Sequence, residues 1–83
     1  MKKQLTNEEY IKSSDLPLVA VLCYFDHLID DIDKSNRAKA VFFIQKNDNS
    51  DDLIQKFWRH ELKVEPVAFF NLIRTIKSQL YDN

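Results

Sequence analysis

Not one residue of this 83-residue chain is glycine. Loops that cradle phosphate need glycine, because their backbone must reach φ > 0 and approach the phosphate oxygens closely. A P-loop or a dinucleotide-binding fingerprint is therefore excluded by its usual mechanism. Turns and helix ends must be built from the next most tolerant residues, Asn, Asp and Ser. The chain supplies them as Ser13-Ser14-Asp15, Lys34-Ser35-Asn36-Arg37 and Asn47-Asp48-Asn49-Ser50.

A chain of this size makes one domain, and buries only about 60–65% of the surface its unfolded form exposes. Such a domain gains from a partner or from self-association. Apolar residues at 45% and aromatics at 12% are too many for a disordered tail. The net charge of −1 provides no global field to draw in a polyanion, which demotes nucleic-acid binding while leaving room for a local basic patch. Cys23 is the lone cysteine, so no internal disulfide forms and a reducing, cytoplasmic setting is expected. Residues 1–9 hold no apolar stretch of signal-peptide type. The longest mostly apolar run, 16–25, is far short of a membrane span.

Residues 1–12 are polar and read as a flexible N-terminal arm, with Tyr10 and Ile11 placed to tuck against a single domain over 13–83. Ser13-Ser14-Asp15 offers an N-cap, with Pro17 in the first turn behind it. A helix follows over about 15–24, with Leu18, Val21, Leu22 and Phe25 on one face. Leu28, Ile29 and Ile32 fit either a continuation of that helical stripe or a strand. Ala40-Val41-Phe42-Phe43-Ile44 is the strongest strand signal, β-branched and aromatic between polar loops. It needs a partner, and the nearest is the segment before the turn. A hairpin of 27–33 with 39–46 is therefore assigned. A second helix over 51–60 carries Leu53, Ile54, Phe57 and Trp58 on its apolar side, with Asp51 and Asp52 at its positive end and Arg59 and His60 at its negative end. A third helix opens at Glu65-Pro66, carries Phe69, Leu72, Ile73, Ile76 and Leu80 as a core stripe with Arg74 and Lys77 facing out, and ends near Tyr81. The expected fold is α+β: a helix, a two-stranded antiparallel hairpin, then two helices, packed on one face of the sheet.

These segments resemble a small bacterial family of unknown function. The resemblance is carried by Ser14-Asp15-Leu16-Pro17-Leu18-Val19-Ala20, by the strand core Val41-Phe42-Phe43, and by the aromatic pair Phe57-Trp58. It is carried further by Val64-Glu65-Pro66-Val67-Ala68-Phe69-Phe70 and by Lys77-Ser78-Gln79-Leu80-Tyr81. It covers residues 13–81. The family tends to place glycine where this chain has Asp26, a residue that can also take the left-handed conformation that ends a helix. The resemblance favours the hairpin over the long helix and implies no activity.

Asp26, His27, Asp30, Asp31 and Asp33 form the densest set of possible metal ligands. A solvated edge strand that uses charge to block unwanted pairing explains them better, because no second ligand cluster has metal spacing. Asp48-Asn49-Ser50-Asp51-Asp52 lacks the central glycine and distal Glu of a calcium loop, and helix capping accounts for it. Cys23 and His27 would be an i, i+4 pair if the helix continued, but nothing supplies an oxyanion hole, and Cys23 reads as a small core residue. No catalytic residue, metal or cofactor is expected.

Two surfaces remain. Lys34, Arg37, Lys39 and Lys46 decorate the hairpin, where a basic turn can touch a nucleic-acid backbone or simply be solvated. Arg59, His60, Lys63, Arg74 and Lys77 could add a second basic surface, although such residues on an outer helix face usually serve solubility. Trp58, Phe70 and Tyr81 exceed what one helix stripe needs, so they either complete the core or form an interaction patch. The expectation is a non-enzymatic protein-interaction module, with self-association open to it, that binds through Trp58, Phe70 and Tyr81. The alternative is a nucleic-acid-associated accessory protein that binds through Arg37 and Lys39. No membrane partner is expected.

Overall fold

The computed structural model describes residues 10–36 and 38–81. The elements in chain order are β1 (Tyr10–Ser13), α1 (Leu16–Tyr24), β2 (Ile29–Asp33), β3 (Val41–Gln45), α2 (Ser50–Trp58) and α3 (Pro66–Tyr81). The fold is α+β, as the residue pattern implies, but the sheet has three antiparallel strands in the order β1-β3-β2. This corrects the two-stranded hairpin. The residues responsible are those at the end of the expected arm: 10–12 belong to β1, while 1–9 lie outside the described residues.

β1 exists because Tyr10 and Ile11 have places to go. Ile11 lies opposite Ile44 of β3 and joins the core from the inner face of the sheet. Tyr10, buried on the other face, donates its hydroxyl to Asp30 Oδ2 at 2.8 Å. Gln45 Nε2 reaches the other oxygen of the same carboxylate at 3.3 Å. One aspartate of β2 is thus tied to both other strands.

β2 pairs with β3 through Ile29↔Ile44, Asp31↔Phe43 and Ile32↔Phe42, with a bulge between Ile29 and Asp31. The extra residue, Asp30, lets Ile29 and Ile32 both face the core although they are three apart, where plain alternation would put them on opposite faces. The bulge resolves the ambiguity of the 28–32 segment in favour of a strand.

The inner face of the sheet, Ile11, Ile29, Ile32, Phe42 and Ile44, joins the apolar residues of all three helices in one cluster. α1 is its centre. Five consecutive residues, Leu18 to Leu22, are buried, so this helix is covered all round rather than along the single face expected. It packs mainly on α3 and then on α2. Its start is fixed by Asp15, whose Oδ1 accepts from the Leu18 N–H at 3.2 Å.

The outer helices are less well covered. α2 fully buries only Ser50 and Leu53. In α3 the expected stripe faces inward, but only Ile76 is fully buried, and Phe69, Leu72, Ile73 and Leu80 are half-buried.

Both helix ends that lack glycine are closed by the same device. Asp26 (φ 67°) sends its N–H to Cys23 O, and His27 N–H goes to Leu22 O. His60 (φ 61°) sends its N–H to Phe57 O, and Glu61 N–H goes to Lys56 O. Each is a Schellman motif with a non-glycine residue in the left-handed position. α2 accordingly ends at Trp58, two residues before the expected His60. α3 is opened by Glu65, whose carboxylate accepts from both Val67 N–H (3.1 Å) and Ala68 N–H (2.8 Å).

Candidate functional site

The aspartates of β2 are each engaged in the fold. Asp30 ties the strands, Asp31 Oδ1 accepts from Ile32 N–H at 2.9 Å, and Asp33 Oδ1 accepts from Ser35 N–H at 2.9 Å. Among the described residues, no group of three His, Cys, Asp or Glu side chains is arranged to hold a metal ion.

His27 turns away from Cys23. The stop at Asp26 ends α1 before an i, i+4 pair can form, and both ring nitrogens of His27 find other partners. Nδ1 lies 3.0 Å from Phe25 O, and Nε2 lies 2.8 Å from Ser50 Oγ. A proton on Nδ1 satisfies both contacts: the ring donates to the carbonyl and accepts from the serine hydroxyl. Ser50 Oγ accepts in turn from Asn47 N–H at 2.9 Å. This pair is the polar centre that the sequence did not announce. Its geometry is that of a nucleophile beside a base, but Ser50 is 0% exposed at the first turn of α2 and His27 is buried with it. The pair therefore works as a lock between the α1–β2 turn and the start of α2. Cys23 is half-buried, and burial pushes its thiol pKa up, away from thiolate reactivity.

The aromatic set divides as follows. Phe57 and Phe69 pack against the core. Trp58 (60% exposed), Phe70 (64%) and Tyr81 (82%) stand in solvent, together with Val67 (66%) and Leu28. Trp58 meets Phe57 edge-on, with ring centroids 4.9 Å apart. Phe70 and Tyr81 share α3 but are separated by about 16 Å along its axis, so they are not one patch by themselves. On the same exposed flank lie Val67, Phe70, Arg74, Lys77 and Tyr81, spaced 3-4-3-4.

Tyr81 instead shares a groove with the basic turn. A cavity of about 310 Å³ is lined by Lys34, Asn36, Ala38, Lys39, Ala40, Leu80 and Tyr81. Lys34 Nζ donates to Gln79 O at 2.9 Å, which holds the β2–β3 turn against the end of α3. Lys39 and Tyr81, expected to serve two different surfaces, are thus neighbours. Arg37 lies outside the described residues.

Residues 8–82 match the family model described as Domain of unknown function (DUF5659). The chain belongs to the DUF5659 family. The matched stretch includes β1, the strand that the 13–81 resemblance stops short of. No curated protein and no solved structure matches the chain. In this DUF5659 domain no helix among the described residues is long and apolar enough to cross a membrane.

Proposed function

We propose that this domain acts by binding another protein rather than by catalysis, in a reducing, cytoplasmic setting where Cys23 stays a thiol. The observation that carries the reading is the exposed flank of α3, where Val67 and Phe70 stand about two-thirds exposed on adjacent turns. A helix whose inward stripe is only half-buried and whose outer flank is also apolar is one side of a contact. Aromatic side chains on a rigid helix are good anchors, because little side-chain freedom is lost when they are covered. The test is a photoreactive residue in place of Phe70, with Thr75 on another flank of α3 as control. A discrete covalent adduct from position 70 and none from position 75 is expected. The absence of an adduct from position 70 overturns the reading.

A second reading rests on the groove at the end of α3. Lys39 supplies a cation and Tyr81 an exposed ring, the pair that single-stranded nucleic acids use through phosphate and base. It predicts binding to single-stranded DNA or RNA that weakens with salt and is lost in Lys39→Glu and in Tyr81→Ala. Retention at low salt of binding by both variants would remove the groove from consideration.

A further inference from the structure

The exposed flank of α3 has a charge order as well as an apolar one. From its start it runs Val67 and Phe70, then Arg74 and Lys77: an apolar pair, then two cations. A second α3 laid against it brings no acid to Arg74 or Lys77 in any register, because the flank has none. Cations left without an acid to meet them disfavour that pairing.

α2 carries the complementary order. Asp51, Gln55 and Trp58 are exposed and spaced i, i+4, i+7, so they form one line along the helix, with Arg59 just past its end. Read from the start, α2 runs acid, Trp, cation. Asp51 and Trp58 are separated by the same seven residues, about 10 Å, as Val67 and Arg74. Antiparallel alignment sets Trp58 against Val67 and Phe70, and Asp51 against Arg74. It also opposes the two helix dipoles.

We propose that the partner of the α3 flank is a second copy of this chain, docked through the Asp51–Trp58 line of its α2. The inference rests on the protein-binding reading above and names its occupant. Each copy presents both faces, and the proposed dimer is a two-fold pair that makes the contact twice. That repetition is needed, because a nine-residue helix is about 13 Å long and one such contact falls short of the roughly 1,200 Å² of a specific interface.

The experiment is sedimentation of the full chain from about 1 μM to about 1 mM, read together with emission from Trp58, the single tryptophan. A dimer is expected, with Trp58 emission moving to the blue as the ring is covered. Asp51→Lys and Arg74→Glu should each weaken the dimer about tenfold or more, and the double variant should recover most of the loss, since the swapped charges face each other again. Circular dichroism at low concentration confirms that each variant is folded. A wild-type chain that stays monomeric throughout overturns the inference. So does a dimer that neither charge reversal affects. In both cases the crosslink from position 70 still decides independently whether that flank binds a different protein.

Discussion

Asp26 and His60 hold φ 67° and 61°, the two residues with positive φ among those described. An L-residue with a Cβ is strained there, and glycine is not. Asp26 carries a second disadvantage, a negative charge at the C-terminal end of α1, where the helix dipole favours cations. Asp26→Gly should therefore raise the unfolding free energy by about 0.5–1 kcal/mol, even after the extra freedom glycine gives the unfolded chain. His60→Gly should gain less, because it gives up a side chain that suits a helix C-terminus. Urea denaturation measures both, and a loss of stability on Asp26→Gly would mean that the carboxylate makes a contact worth more than the strain. Ser50 behaves oppositely. It has no strain to relieve, and its hydroxyl serves both His27 Nε2 and Asn47 N–H. Ser50→Ala leaves a buried ring nitrogen and a backbone donor without partners, and should cost about 2–3 kcal/mol in the same measurement. The left-handed stop at Asp26 was implied by the family resemblance, which tends to place glycine there, while the residue pattern alone left the helix free to continue. The His27–Ser50 contact was not legible in sequence, because it joins residues 23 apart that no spacing rule relates.

Among the elements, the three helices and the strand β3 follow from periodicity and caps, and α3 packs Phe69, Ile73, Ile76 and Leu80 of its expected stripe on the core. β1 does not follow, and the reason is physical. Four residues, Tyr-Ile-Lys-Ser, carry little pattern, and their state is decided by what β3 offers them. Val41–Gln45 is apolar on both faces, so a strand on only one side would leave part of it open. β1 closes that side, with Ile11 on Ile44 inside and Tyr10 reaching Asp30 outside. β3 is thereby central, and β1 is an integral part of the domain. Ile11→Ala should cost about 2–4 kcal/mol, the range for truncating a buried apolar side chain. An N-terminal arm with no structural role would show almost no change, so thermal denaturation of this variant separates the two descriptions. The basic turn and Tyr81 were each visible in sequence, yet their meeting depends on how α3 lies across the sheet, which no local pattern encodes.

At the scale of the molecule, burial is distributed unevenly. α1 takes five buried residues in a row, while α2 and α3 fully bury one apolar residue each. Two half-covered helices form the outer layer, and they carry Trp58, Val67 and Phe70 on their solvent side. If a second copy covers that layer, folding and association share one equilibrium, and stability depends on concentration by mass action. The melting temperature should then rise by about 4 °C for each tenfold increase in wild-type protein, from the enthalpy expected of two chains of this length unfolding together. Arg74→Glu should show this rise only from a concentration about tenfold or more higher, because below it the weakened dimer parts before its chains unfold. The two curves should converge at low concentration, where both are folded monomers, since Arg74 is exposed and outside the core stripe. A variant that already melts lower in that limit would show that Arg74 supports the monomer instead. The slope with concentration, rather than the midpoint, is therefore the quantity that reports what the outer helices are for.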